Sequence, residues 1–168
     1  LLYSQTMPKS QIIVSLTSFP AAIEYAAKAI ESILNGSVLP DKVVLYLTFS
    51  QFGEQGIPQS IMKLASENAL FEVRDYPREI RSYRKLIPAL NDFPEAIIVT
   101  IDDDVKYHKD MLRDLLNWHE KLPDAILSHR AKLMKPSEPY RTRHKYSWYH
   151  LLTKSIHPNS RDNQYGLD

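Results

Sequence analysis

Through the first 130 positions, short apolar runs rich in β-branched residues alternate with segments whose apolar side chains recur every three or four residues. The first pattern predicts buried strands and the second amphipathic helices. Strands are expected over Gln11–Ser18, Lys42–Thr48, Phe71–Asp75, Ala96–Ile101 and Ala125–Ser128. Between the first two, Pro20 suits a first helical turn, since its missing N–H would be unpaired there anyway. Ile23, Ala26, Ala27, Ile30, Ile33 and Leu34 then fall at helical spacing until Asn35-Gly36 stops the helix. Further helices are expected over Gln59–Asn68, over Tyr83–Asn91 with Ser82 as cap and Pro88 as a kink, and over Lys109–Lys121. Beyond His129 the periodicity dissolves into proline-, basic- and aromatic-rich sequence, with at most one short helix near Ser147–Thr153.

Strand, helix, strand, helix at this spacing argues for an α/β fold, a mostly parallel sheet flanked by helices. The usual doubly wound order places strands 3-2-1 outward and then strand 4 beside strand 1, with ligands bound where the order reverses. That brings Thr17, Ser18 and Phe19, at the tip of strand 1, beside Asp102, Asp103 and Asp104, at the tip of strand 4. Residues 1–10 are expected to form an extension, 11–130 the α/β domain, and 131–168 a basic, partly irregular segment opening a further half. The absence of an initiator Met suggests a boundary at the N-terminus, and the fold is expected to be incomplete at the C-terminus.

Composition narrows the chemistry. The chain lacks cysteine, which excludes a disulfide scaffold, a thiolate metal site and a cysteine nucleophile. Its four glycines are too few and too scattered for either glycine-rich phosphate cradle. A bound diphosphate must therefore be neutralised by a metal ion or by cationic side chains. No apolar run reaches the roughly 18 residues of a membrane span, and residues 1–10 lack a signal-peptide pattern. Between residues 129 and 161, eight Lys/Arg face the single acid Glu138. That stretch is either a solvated tail or a basic surface for an anionic partner such as a membrane face. The expected location is cytoplasmic, at most peripheral to the membrane's inner face, with no nucleic-acid partner.

Three consecutive aspartates after a buried strand repel one another unless cations or helix N-termini offset the charge. Carboxylates are the ligands that Mg²⁺ and Mn²⁺ prefer, so Asp102 and Asp104 are candidate metal ligands. A helix N-cap is the simpler alternative, but a cap needs one aspartate. A phosphatase-like DxDx[TV] does not fit, because Val105 arrives one position early. Upstream, Arg78, Arg81, Arg84 and Lys85 gather four positive charges into eight residues. On a helix, Arg81 can share a face with Arg84 or Lys85. A diphosphate held between these cations and a metal on the aspartates would suit a chain without glycine loops.

Ile13-Val-Ser-Leu-Thr-Ser-Phe-Pro20, Pro40-Asp-Lys-Val-Val-Leu-Tyr-Leu47, Ser82-Tyr-Arg-Lys-Leu-Ile-Pro-Ala-Leu90 and Val99-Thr-Ile-Asp-Asp-Asp-Val105 together resemble bacterial glycosyltransferases of the GT-A fold. The resemblance spans roughly residues 11–130. It implies a Rossmann-like nucleotide-diphospho-sugar transferase of the polysaccharide or lipopolysaccharide assembly type. It implies a nucleotide-sugar donor, UDP-sugar first, a glycan or lipid-linked glycan acceptor, and Mn²⁺ or Mg²⁺. By the same resemblance Asp104 binds the metal directly and Asp102 meets the ribose or the metal. Thr17, Ser18 and Phe19 line base and ribose, and Lys85, with Arg81, sits near the donor. Asp103 joins this donor-binding set. Many relatives read the base with an acidic residue after strand 2, where this chain has Thr48-Phe49-Ser50, and Asp75 is the nearest substitute. No catalytic base can be assigned. Other metal-dependent phosphoryl or nucleotidyl transfer, and a non-catalytic binding module, remain alternatives.

Overall fold

The computed structural model describes residues 10–129. Four parallel strands, β1 (Ile12–Thr17), β2 (Lys42–Leu47), β3 (Phe71–Asp75) and β4 (Ile97–Thr100), form one sheet in the order β3-β2-β1-β4. All neighbouring pairs run in the same direction, so every strand delivers its carboxyl end to one side of the sheet. The expected strand order is the one observed.

The crossovers follow from that order. Helix α1 (Ile23–Leu34) links β1 to β2, and α2 (Gln59–Glu67) links β2 to β3, both stepping outward. Helix α3 (Ile87–Asp92) precedes the return step from β3 to β4. Right-handed connections in opposite directions put α1 and α2 on one face and α3 on the other. Strand alternation matches: Ile13, Val44 and Tyr46 pack with Ala89 of α3, while Val14, Leu16, Val43 and Leu45 point to the opposite face and are fully buried. Each such aliphatic side chain contributes about 1.5–3 kcal/mol by leaving water. At the β4 edge, Ile97 and Ile98 are only half-buried.

Helix α3 is fixed to the sheet by a polar network. The buried Tyr46 phenol donates to Asp92 Oδ2 (2.8 Å), and Arg74 reaches the same carboxylate while also meeting Glu72. Burial, reinforced by Asp92, holds the Tyr46 phenol far above its ordinary pKa, so it stays a donor.

Several expectations are corrected. The helix expected over Tyr83–Asn91 is instead a 3-10 turn over Arg81–Lys85 followed by α3, with the break at Leu86. Pro88 causes the break: having no N–H, it fits only the first turn of a new helix, and it stands there. Ser82 therefore lies inside the turn and caps nothing. The Phe49–Pro58 loop contains a 3-10 stretch over Phe49–Gln55, bent at Gly53. Gly53 (φ 57°) and Gly56 (φ 67°) adopt the left-handed conformation that side-chain-bearing residues avoid. Gly36 serves differently: a Cβ there would press within 3.0–3.3 Å of the carbonyl oxygens of Ile33, Val38 and Lys109.

The unit that carries the sheet runs through Leu112 among the described residues. From Arg113 the chain continues as the rest of α4 (Met111–Lys121), where the Lys121 ammonium lies 4.9 Å from the Trp118 ring centre. The fifth strand expected over Ala125–Ser128 is absent. Pro123 and a turn closed by the Ala125 N–H on the Leu122 carbonyl follow α4, and Ile126 is fully exposed. All but the last residue of the expected extension 1–10, the segment 131–168 with its expected short helix, and nearly all of the basic stretch 129–161 lie outside the described residues. Among the described residues no helix is long and apolar enough to cross a membrane.

Candidate functional site

A cleft of about 480 Å³ opens at the carboxyl ends of the strands, where the order reverses between β1 and β4. Three segments build it: Thr17, Ser18 and Phe19 at the end of β1, the Arg81–Lys85 turn after β3, and Ile101, Asp102 and Asp103 after β4. Gln51 and Glu79 complete the wall.

At the floor, Ser18 donates to Asp103 Oδ2 at 2.5 Å across the reversal. Burial raises the Asp103 carboxyl above its ordinary pKa; the Ser18 hydrogen bond opposes this, and the charges of Asp104 and Asp102 add to it. Asp102 is more open, and its Oδ1 meets the Lys85 ammonium at 2.5 Å. The Thr17 hydroxyl is committed to the sheet, donating to the Tyr46 carbonyl at 2.8 Å. Phe19 stands half out of the rim, 54% exposed, an aromatic face open to a planar ring.

The aspartate turn is anchored from behind. The Asp102 N–H donates to the Tyr107 phenol oxygen (2.8 Å), and the Tyr107 N–H donates to Ser32 Oγ on α1 (3.0 Å). Burial, together with the three aspartate charges, pushes the Tyr107 phenol up to about 12, so it remains neutral. Two residues on, the Lys109 carbonyl accepts the Ser37 N–H at 2.7 Å.

The cationic turn is built otherwise. Arg81 holds φ 51°, a left-handed conformation costly for a residue with a side chain. Its N–H donates to Glu79 Oε1 (2.9 Å). Glu79 Oε2 accepts the Arg84 guanidinium (2.9 Å) and the Gln51 side-chain amide. The Arg81 N–H foremost, then the Arg84 charge and the Gln51 and Arg84 hydrogen bonds, hold Glu79 below the usual carboxylate range against its desolvation. Arg84 itself is buried.

Seven of the residues singled out in the sequence thus share one cleft: Thr17, Ser18, Phe19, Arg81, Lys85, Asp102 and Asp103. Asp75 does not line it; its carboxylate accepts the Phe49 N–H (2.9 Å) and so shapes the loop after β2. Asp104 is exposed and also lies off the cleft wall. Among the described residues no three His, Asp or Glu side chains converge as a ready metal cluster. Sequence reasoning did not single out Gln51, Glu79 or Ser82 as lining residues, and named Arg84 only as an alternative partner for Arg81. The one signal pointing to them was the density of charge between Arg78 and Lys85.

No family model matches the chain, and no curated protein matches it.

Proposed function

We propose that the chain binds a nucleotide-diphosphate sugar in this cleft, as the donor-binding part of a glycosyltransferase with the GT-A fold. The observation that carries the reading is the meeting, in one cleft at the strand-order reversal, of an exposed aromatic, a cationic turn and two carboxylates. Phe19 offers a face to the base, Arg81, Arg84 and Lys85 offer charge to the diphosphate, and Asp102 and Asp103 approach from the opposite wall. The acceptor class in this reading is a glycan or lipid-linked glycan.

The carboxylates also fit a Mn²⁺ or Mg²⁺ ion. Magnesium is commonly bound through one or two carboxylates plus substrate phosphates, so a preformed three-ligand cluster is not required. Asp102 would hold it from the cleft wall, with Asp104, exposed beside the cleft, as the second carboxylate of the motif, and the ion would offset charge on a departing diphosphate. The chain's own residues supply the rest: Lys85 balances Asp102, Ser18 orients Asp103, and the cationic turn draws the diphosphate into the cleft.

Calorimetric titration with a UDP-sugar panel in Mn²⁺ tests this directly. Binding is expected to fall roughly 100-fold in chelator and in Asp102→Ala, the loss of a charge-assisted contact to the ligand. Affinity indifferent to both would overturn the reading. Transfer or hydrolysis of phosphate without any sugar nucleotide would replace it with metal-dependent phosphoryl or nucleotidyl transfer.

A further inference from the structure

Glu79 is gripped by three donors from separate stretches of chain: the Arg81 N–H, the Arg84 guanidinium and the Gln51 amide. All four residues line the cleft. The burial of the ion pair is lopsided, since the Arg84 side chain is 3% exposed and the Glu79 side chain 51%. A buried guanidinium usually demands a full set of acceptors. Here its Nε is shut away from solvent without a hydrogen-bond partner among the described residues. A guanidinium is a planar fork of five N–H donors that matches the spacing of phosphate oxygens. The set around Glu79 is therefore an anion cradle, and the carboxylate within it is half open to water.

The left-handed backbone at Arg81 belongs to the same device. That conformation accompanies an amide aimed at Glu79, and strain of this kind is retained where surrounding structure enforces it.

We propose that Glu79 is a resident stand-in for a ligand anion: Arg84, Gln51 and the Arg81 amide form a phosphoryl subsite, and a phosphate group of the ligand takes the place of the Glu79 carboxylate. The inference rests on the nucleotide-diphosphate reading of the cleft and adds that binding is an exchange of one anion for another. No bond is made or broken; the carboxylate swings toward water as the phosphate enters.

The probe is inorganic pyrophosphate in the presence of chelator, measured by calorimetry on the full chain, the Glu79→Gln variant and the Gln51→Ala variant. Glu79→Gln removes the competing charge, so pyrophosphate is expected to bind about tenfold tighter than to the parent. Gln51→Ala removes a neutral donor, with affinity expected to fall about threefold at unchanged melting temperature. Unchanged or weaker binding to Glu79→Gln overturns the proposal, as does an absence of pyrophosphate binding to parent and variant alike. Should Glu79→Gln fail to fold, Gln51→Ala decides: undiminished affinity overturns the subsite and diminished affinity supports it. A UDP-sugar titration in Mn²⁺ separates this from the parent reading. Tighter pyrophosphate binding without sugar-nucleotide binding removes the donor assignment and keeps the subsite. Sugar-nucleotide binding indifferent to both variants keeps the donor assignment and removes the subsite.

Discussion

The two walls of the cleft are built on opposite principles. The aspartate wall is tied to remote structure, through Tyr107 to Ser32 of α1 and through Lys109 to Ser37. The cationic wall holds itself together largely by contacts within Glu79–Arg84 and the neighbouring Gln51, around a strained Arg81 and a buried Arg84. Lys85 and Asp102 join the two at 2.5 Å. The difference teaches where rigidity and strain reside: the aspartate turn is anchored by non-local hydrogen bonds, whereas the cationic turn carries its backbone strain within itself, at Arg81.

The largest expected effect tests the buried cation. Arg84→Met should lower stability by about 2 kcal/mol through lost packing and hydrogen bonding, read as a shift in the urea midpoint at unchanged slope. A neutral outcome would mean that the cationic wall does not rely on Arg84. Next is the anchor of the opposite wall. Tyr107→Phe removes the acceptor for the Asp102 N–H and should cost about 1 kcal/mol, with weaker metal-dependent binding of the sugar nucleotide. Smaller, and of opposite sign, is Arg81→Gly. Relief of the left-handed strain outweighs the added freedom of the unfolded chain, for a gain of roughly 0.5 kcal/mol in thermal or urea stability. The same variant should bind pyrophosphate less well, which separates strain from function.

The finest comparison uses pH. Asp103 has its pKa raised in the native state, chiefly by burial, so the folded protein holds that proton to higher pH than the unfolded chain. The carboxyl's contribution is fully present below the unfolded value and is lost as pH rises through the native one. Asp103→Asn does not ionise and should be more stable than the parent at pH 7. The advantage should vanish below about pH 4, the ordinary range for an aspartate, in urea melts at the two pH values.

Much of this architecture was legible in the residues. The β-branched runs at Ile12–Thr17 and Lys42–Leu47 are buried strands because no other element hides so continuous an apolar run, and Ile97–Thr100 is their half-buried edge neighbour. Ala125–Ser128 shows the limit of that rule, since four residues of suitable type form no strand after the turn at Pro123. The meeting of β1 and β4 followed from the strand order usual for such an alternation. Which aspartate enters the cleft did not, because that depends on the backbone path of a turn, and three identical side chains give no periodicity to read. The cationic turn was legible in its residues but not in its conformation. Helical spacing puts Arg81 on one face with Arg84 or Lys85, whereas the segment forms a 3-10 turn that opens on a left-handed Arg81, with Arg84 buried and Tyr83 projecting into solvent. Gln51 and Glu79 stand 28 positions apart, and only the parallel pairing of β2 with β3 makes them neighbours.

Gly36 carries a consequence for the aspartates, although it has no side chain and lies outside the cleft. Its Cα is seated against the Lys109 carbonyl, and β4 fixes the other end at Thr100, so the intervening residues form a strap of set length. The number of residues in that strap is then constrained as firmly as their identity. A single insertion between Asp104 and Lys109 would swing the carboxylates out of register with Ser18, while an added residue near Gly56 would be absorbed by a loop already bent around two glycines.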